Sequence, residues 1–197
     1  MADILFMDMM TNLIYELCFP YIERLPNEVF YSECKNFDFE ASEIKRTALF
    51  VVHENEISDV SIFGCLRQVW LIMMEGLYDV STLGNVHTLT LAFLNNVSDV
   101  SALGNVHRLS LYCLKKVSDV SALGNVHMLI LTDLDNVSDV SALGNVQTLV
   151  LSSMNNVSDI SALGNVHTLI LRSCPKIKCQ RKFGNIQQLV INGVEIF

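Results

Sequence analysis

From about residue 44 onward, apolar and polar positions recur with a period of twenty residues. In the unit from Gly84 to Leu103, Val86-His87-Thr88-Leu89-Thr90-Leu91 alternates apolar and polar, the period-two signature of a half-buried strand. Leu89 and Leu91 share a parity, which predicts a short strand over Thr88–Leu91 with both leucines turned inward. Leu94, Val97, Val100 and Leu103 follow at three-residue steps. That spacing predicts tight 3₁₀-type turns, and so short a unit leaves no room for a long helix. Gly84-Asn85 predicts a turn that tolerates positive φ. Asp99 stands where a side-chain oxygen can cap the turn Val100-Ser101-Ala102.

The unit is copied many times. Gly64, Gly84, Gly104, Gly124, Gly144, Gly164 and Gly184 account for seven of the nine glycines. The inward pair runs Leu49/Val51, Val69/Leu71, Leu89/Leu91, Leu109/Leu111, Leu129/Leu131, Leu149/Leu151, Leu169/Leu171 and Leu189/Ile191. Self-similarity at a short fixed period predicts a solenoid, with one coil stacked on the next over a continuous core. The pairs predict eight parallel strands with neighbours about 4.8 Å apart. The first two coils and the last depart from the consensus, as capping units do.

This wording resembles the leucine-rich repeat family. Its core pattern, L-x-x-L-x-L-x-x-N/C-x-x-L, is matched by Val166-His167-Thr168-Leu169-Ile170-Leu171-Arg172-Ser173-Cys174-Pro175-Lys176-Ile177. Most coils carry Leu or Met at the N/C position (Met74, Leu94, Leu114, Leu134, Met154), so the family's asparagine ladder is missing there. Val97-Ser98-Asp99 and its copies are similar to the I-T-D of the cysteine-containing subclass. Ile57 to Ser61 resembles bacterial internalins, which are exported. The LGNVHTL wording resembles repeat arrays encoded by large DNA viruses of amoebae, such as marseilleviruses. The resemblance implies an α/β leucine-rich-repeat solenoid, a curved horseshoe with strands on the concave side and 3₁₀ or irregular turns on the convex side. We divide the chain into a helical N-terminal cap (1–43), the solenoid (44–191) and a C-terminal cap (192–197).

Composition fits this picture. Of 197 residues, 51% are hydrophobic and mean hydropathy is +0.38, which a solenoid core absorbs. No apolar stretch reaches the ~20 residues of a membrane span; Ile4 to Phe19 is broken by Asp8 and Glu16. The chain start lacks the basic residues and cleavage site of a secretory signal. The six cysteines form no CxxC pair, which points to reduced thiols in an intracellular protein, in cytoplasm, nucleus or virion. Residues 1–60 hold twelve acids and four bases, whereas residues 61–197 hold nine of each. Arg172, Lys176, Lys178, Arg181 and Lys182 form a basic cluster near the far end. These unlike ends offer a route to self-association. One basic cluster on a neutral array is a thin footprint for nucleic acid.

Both ends are expected to shield the core. Ile4, Leu5, Met9, Leu13, Ile14 and Leu17 suit an amphipathic helix over the first coil, and Val194, Ile196 and Phe197 suit an apolar lid on the last. Leu25-Pro26-Asn27-Glu28-Val29-Phe30 looks like the start of an F-box, which would imply a ubiquitin-ligase adaptor.

Catalysis, cofactors and metals find little support. His87, His107, His127 and His167 form a column broken by Gln147, and stacking would hold neighbours about 5 Å apart. No cysteine or carboxylate accompanies them, so the column reads as a polar ladder rather than a zinc site. Its imidazoles would repel one another when charged. Asp59, Asp79, Asp99, Asp119, Asp139 and Asp159 are single carboxylates, not a calcium cage. Ser98 and its copies lack the special partner set that makes a nucleophile.

The informative positions vary on the outward face of the strands. One column reads Phe50, Trp70, Thr90, Ser110, Ile130, Val150, Ile170, Val190; another reads Ile72, Ala92, Tyr112, Thr132, Ser152, Arg172. A third contains Arg108 and Met128. So apolar a surface predicts a cover. We read a non-enzymatic scaffold whose concave face binds a protein through Trp70, Ile72, Arg108, Tyr112, Met128, Ile130, Val150, Ile170 and Arg172, types frequent at hot spots. The adaptor and a self-assembling virion component are the alternatives.

Overall fold

The structure is a computed structural model that describes residues 29–32, 48–52, 58–177 and 185–196. The coils stack as a single rod. Its sheet has ten strands in chain order: β1 (Val29–Ser32), β2 (Ala48–Val52), β3 (Gln68–Ile72), β4 (Thr88–Ala92), β5 (Arg108–Tyr112), β6 (Met128–Thr132), β7 (Thr148–Ser152), β8 (Thr168–Arg172), β9 (Gln188–Ile191) and β10 (Val194–Glu195). Neighbours from β1 to β9 pair in parallel, and β10 turns back antiparallel on β9. Between β3 and β9 the pairing steps by twenty residues each time, so Leu89 lies beside Leu109 and Leu109 beside Leu129. Equal coil length is what holds this register. Opposite the sheet, Ser61–Cys65, Ser81–Asn85, Ser101–Asn105, Ser121–Asn125, Ser141–Asn145 and Ser161–Asn165 form 3₁₀ turns.

The core is one continuous apolar cluster. Each coil contributes the inward strand pair and the residues at three-residue steps; Leu109 and Leu129 are 1% and 0% exposed. Met74, Leu94, Leu114, Leu134 and Met154 are fully buried here, so an asparagine at that position would sit in hydrocarbon.

Glycine has a different reason from the one expected. The described repeat glycines do not use left-handed backbone. Positive φ falls instead just after β3 to β8, at Met73 (54°), Phe93 (56°), Cys113 (53°), Asp133 (54°), Ser153 (52°) and Ser173 (50°). A Cβ on Gly64, Gly84, Gly104, Gly124 or Gly144 would meet the carbonyl oxygen of Thr82, Ala102, Ala122, Ala142 or Ala162 closer than 3.0 Å. Glycine is there because the next coil's backbone leaves no space for a side chain. Each left-handed residue, in turn, aims its N–H into the following coil: Met73 N donates to Ala92 O and Phe93 N to Tyr112 O, both at 3.0 Å.

Two polar ladders hold the coil edges. Asp99 Oδ1 accepts from Ser101 N at 2.8 Å, and Asp59, Asp79, Asp119, Asp139 and Asp159 do the same in their coils. These are the expected caps, formed as Asx turns. A separate row of asparagines, two residues beyond the family position, links the coils instead. Asn96, Asn136 and Asn156 each donate Nδ2 to the preceding coil, at Glu75 O (2.7 Å), Lys115 O (2.5 Å) and Asp135 O (2.6 Å). Where lysine replaces asparagine, Lys116 and Lys176 donate to Asn96 Oδ1 and Asn156 Oδ1.

At the ends, the helix expected over Ile4–Leu17 lies outside the described residues, as do Leu25 to Glu28 of the F-box-like run. Val29 and Phe30 of that run begin β1, a strand within the segment read as a helical cap. The C-terminal closure is a hydrogen-bonded hairpin rather than an apolar lid. Ile196 N donates to Leu189 O at 2.8 Å, while Val194 and Ile196 stay 62% and 48% exposed. Phe197 lies outside the described residues. No described helix is long and apolar enough to cross a membrane.

Candidate functional site

The outward face of the sheet carries three side-chain columns, set by strand alternation. The structure places the nine candidate residues on it at three depths. Trp70, Ile72, Tyr112, Ile130 and Val150 are buried, at 5%, 0%, 3%, 3% and 1% exposure. Met128 and Ile170 are half-buried, and Arg108 and Arg172 are exposed. In-register pairing puts the columns side by side, and Ile72, Ala92, Tyr112, Ile130 and Val150 pack into a second apolar cluster. Met73, Phe93 and Ile170 lean against it. Much of the apolar character read as an open patch is thus a small core on the concave side.

What a partner can reach is a mixed surface above that floor. Arg108 marks one edge, and Met128, Thr132, Ser152, Ile170 and Arg172 continue it toward the C-terminal coils. Column neighbours change from apolar to polar along the rod: Ile72 and Ala92 give way to Thr132, Ser152 and Arg172. Residues one step past the strands belong to this face too, a position the sequence pattern did not single out. There Met73 and Phe93 are followed by Cys113, Asp133 and Ser153.

Cys113 is not poised for chemistry. Its Sγ donates to Asp133 Oδ2 at 3.3 Å, and burial, then that carboxylate, push the thiol up to about 12. A thiol so far from ionised at neutral pH is a poor nucleophile. Cys174 is also pushed up by burial.

The histidine column forms as spaced. The His87 and His107 ring centroids stand 4.7 Å apart at 38°, and His107 and His127 stack at 4.5 Å and 10°. Partial burial, then the charges of His107, Arg67 and Arg108, hold His87 below the ordinary imidazole value. Burial, His127 and Arg108 do the same for His107. Stacked rings aim their lone pairs side by side rather than at one point. Among the described residues no three His, Cys, Asp or Glu are placed to hold a metal.

No protein-family model matches the chain, and no curated protein does. Solved structures do. Internalin C2 (inlC2) from Listeria monocytogenes superposes with a TM-score of 0.50 at 20% identity, over 75% of this chain and 68% of its own. An internalin (inlF) from the same organism gives 0.41 at 23% identity, over 67% and 48%. The likeness is one of architecture, and with the twenty-residue coils and the in-register sheet it shows that the chain folds as a curved leucine-rich-repeat solenoid.

Proposed function

We propose that the protein is a non-enzymatic scaffold that binds a protein partner on the concave face of its sheet. The observation that carries this is the contrast along one coil. The turn strip repeats Ser-Ala-Leu-Gly-Asn four times, while the sheet face differs in every coil. A surface that varies on a constant frame is how repeat arrays present a binding site. The buried cluster around Tyr112 and Ile130 gives that face a rigid floor, so binding there needs little reordering. Arg108, Met128, Ile170 and Arg172 then supply contacts, the two guanidiniums suiting a partner that offers carboxylates. The free thiols of Cys65, Cys113 and Cys174 suit a reducing compartment, where we place the protein.

Affinity capture from the native cell, with the whole chain as bait, tests this reading. Arg108→Glu with Arg172→Glu is expected to lose the partner while the fold stays intact by circular dichroism. A folded double variant that captures the same partner equally well would sink the concave-face assignment.

A further inference from the structure

The opposite side of the rod carries two charged columns. On one flank of the 3₁₀ turns, Asp59, Asp79, Asp99, Asp119, Asp139 and Asp159 are exposed. On the other, one column reads Arg67, His87, His107, His127, Gln147, His167. Between them lie small exposed residues, Ser101 and Ala102 and their copies in later coils. Both columns repeat once per coil, and neighbouring imidazoles stand 4.5–4.7 Å apart from His87 to His127.

Among the described residues, no opposite charge bears on His87, His107, Asp79 or Asp119. The charged groups that bear on His87 are all cationic or cationisable: His107, Arg67 in the preceding coil and Arg108 at the start of β5. On His107 they are His127 and Arg108. The His87 ring also meets Thr88 Oγ1 at 3.2 Å, a neutral partner. The charges that bear on Asp79 are Asp99 and Asp59, and those on Asp119 are Asp139 and Asp99. Each flank is a row of like groups, one per coil, acidic on one side and largely imidazole on the other.

We propose that this side is a self-recognition surface: two copies lie side by side, pointing the same way, with the aspartate row of each against the histidine row of the other. A two-fold axis along the rod exchanges left and right flanks and makes the contact isologous and closed. A two-fold axis across the rod would set aspartate on aspartate, so only the parallel arrangement fits. The small Ser/Ala strip lets the rods approach. One exposed ion pair contributes little, but one acid and one imidazole per coil repeat it over several coils, twice per dimer. The contact forms where imidazoles are charged and carboxylates still ionised. Burial, then neighbouring positive charge, delays protonation of His87 and His107, and the Asx bonds keep the aspartates ionised below their usual range. The window therefore lies on the acidic side of neutrality, below the ordinary imidazole value and above the aspartate range. Both concave faces stay open, so the dimer is bivalent.

Sedimentation velocity on the whole chain tests this. A dimer is expected at about pH 5.5 in about 20 mM salt, with affinity falling at least about tenfold at about pH 7.5 or in about 0.5 M salt. Two triple variants localise the contact. His87→Gln/His107→Gln/His127→Gln uses the residue already standing at Gln147. Asp99→Asn/Asp119→Asn/Asp139→Asn keeps a side-chain oxygen for each serine N–H. Each is expected to be monomeric alone, and circular dichroism checks that each is folded. Mixed together they restore one complete pair of rows and should form a heterodimer. A wild-type chain that stays monomeric at acidic pH and low salt overturns the proposal. So does association that survives either triple variant, or a mixture that associates no better than its components.

Discussion

The concave sheet and the turn strip are made by the same coils, yet they tolerate change differently. Along the strip, Ser-Ala-Leu-Gly-Asn returns unchanged from Ser101 to Asn165, and three of its positions have a fixed structural job. Leucine fills the core, glycine passes under the next coil's carbonyl, and the serine N–H meets aspartate. On the sheet side the inward pair is just as constant, but the outward column runs from Trp70 through Thr90 and Ser110 to Ile130. Nothing in the backbone constrains those residues, so they are where a binding role is free to be written. The contrast teaches that in this rod repetition marks what the fold needs.

The largest break in that comparison comes from the shared core. Leu109→Ala removes a fully enclosed side chain between equivalent leucines and is expected to cost about 2–5 kcal/mol in denaturant unfolding. Gly124→Ala should follow, at about 1–3 kcal/mol, because the added methyl must displace the Ala142 carbonyl rather than a side chain. Alanine at a left-handed glycine would be costly for conformational reasons; here the cost is steric, and Gly124→Ser should cost at least as much. Asn136→Ala sharpens the comparison on the polar edge. It leaves Lys115 O without its donor, and a loss of about 1 kcal/mol is expected, with the two flanking coils showing the faster amide exchange.

How much of this was legible in the sequence follows from how local each cause is. The inward leucines, the twenty-residue register and the Asp99 cap depend on neighbours within one coil, and period and spacing displayed them. The role of Gly104 depends on Ala122 O, one coil away, and single-coil reasoning assigned it to φ instead. The left-handed column hides for another reason. Met73, Phe93, Cys113 and Asp133 share no chemistry, and such φ values are uncommon outside glycine and asparagine. They are held by N–H bonds into the following coil. The family's asparagine position is filled by Leu94 and Leu134, as read, and the coil-linking asparagines stand two residues on at Asn96 and Asn136, where a polar pair reads as ordinary solvated surface. On the candidate face, alternation told which residues point outward. It did not tell that Ile72, Tyr112, Ile130 and Val150 bury one another, because that depends on packing between columns.

Acid titration probes the smallest difference, between the two flanks of the turn strip. His87 and His107 titrate below 6.5 in the folded chain, so the unfolded chain takes up protons first. Their contribution is full above that value and is lost as pH falls through the folded values. The aspartates sit below 3.8, chiefly through the serine N–H bond, so their contribution holds above 3.8 and is lost in a second, more acidic step. Thermal unfolding of dilute protein should therefore weaken in two stages, the first missing in the His→Gln triple variant. At high concentration the self-association proposed above acts in the opposite sense. A dimer that binds protons stabilises the folded chain as pH falls toward 5.5. A first stage that shrinks or reverses with protein concentration would separate intermolecular pairing from repulsion within one row, and a first stage indifferent to concentration would leave only the repulsion.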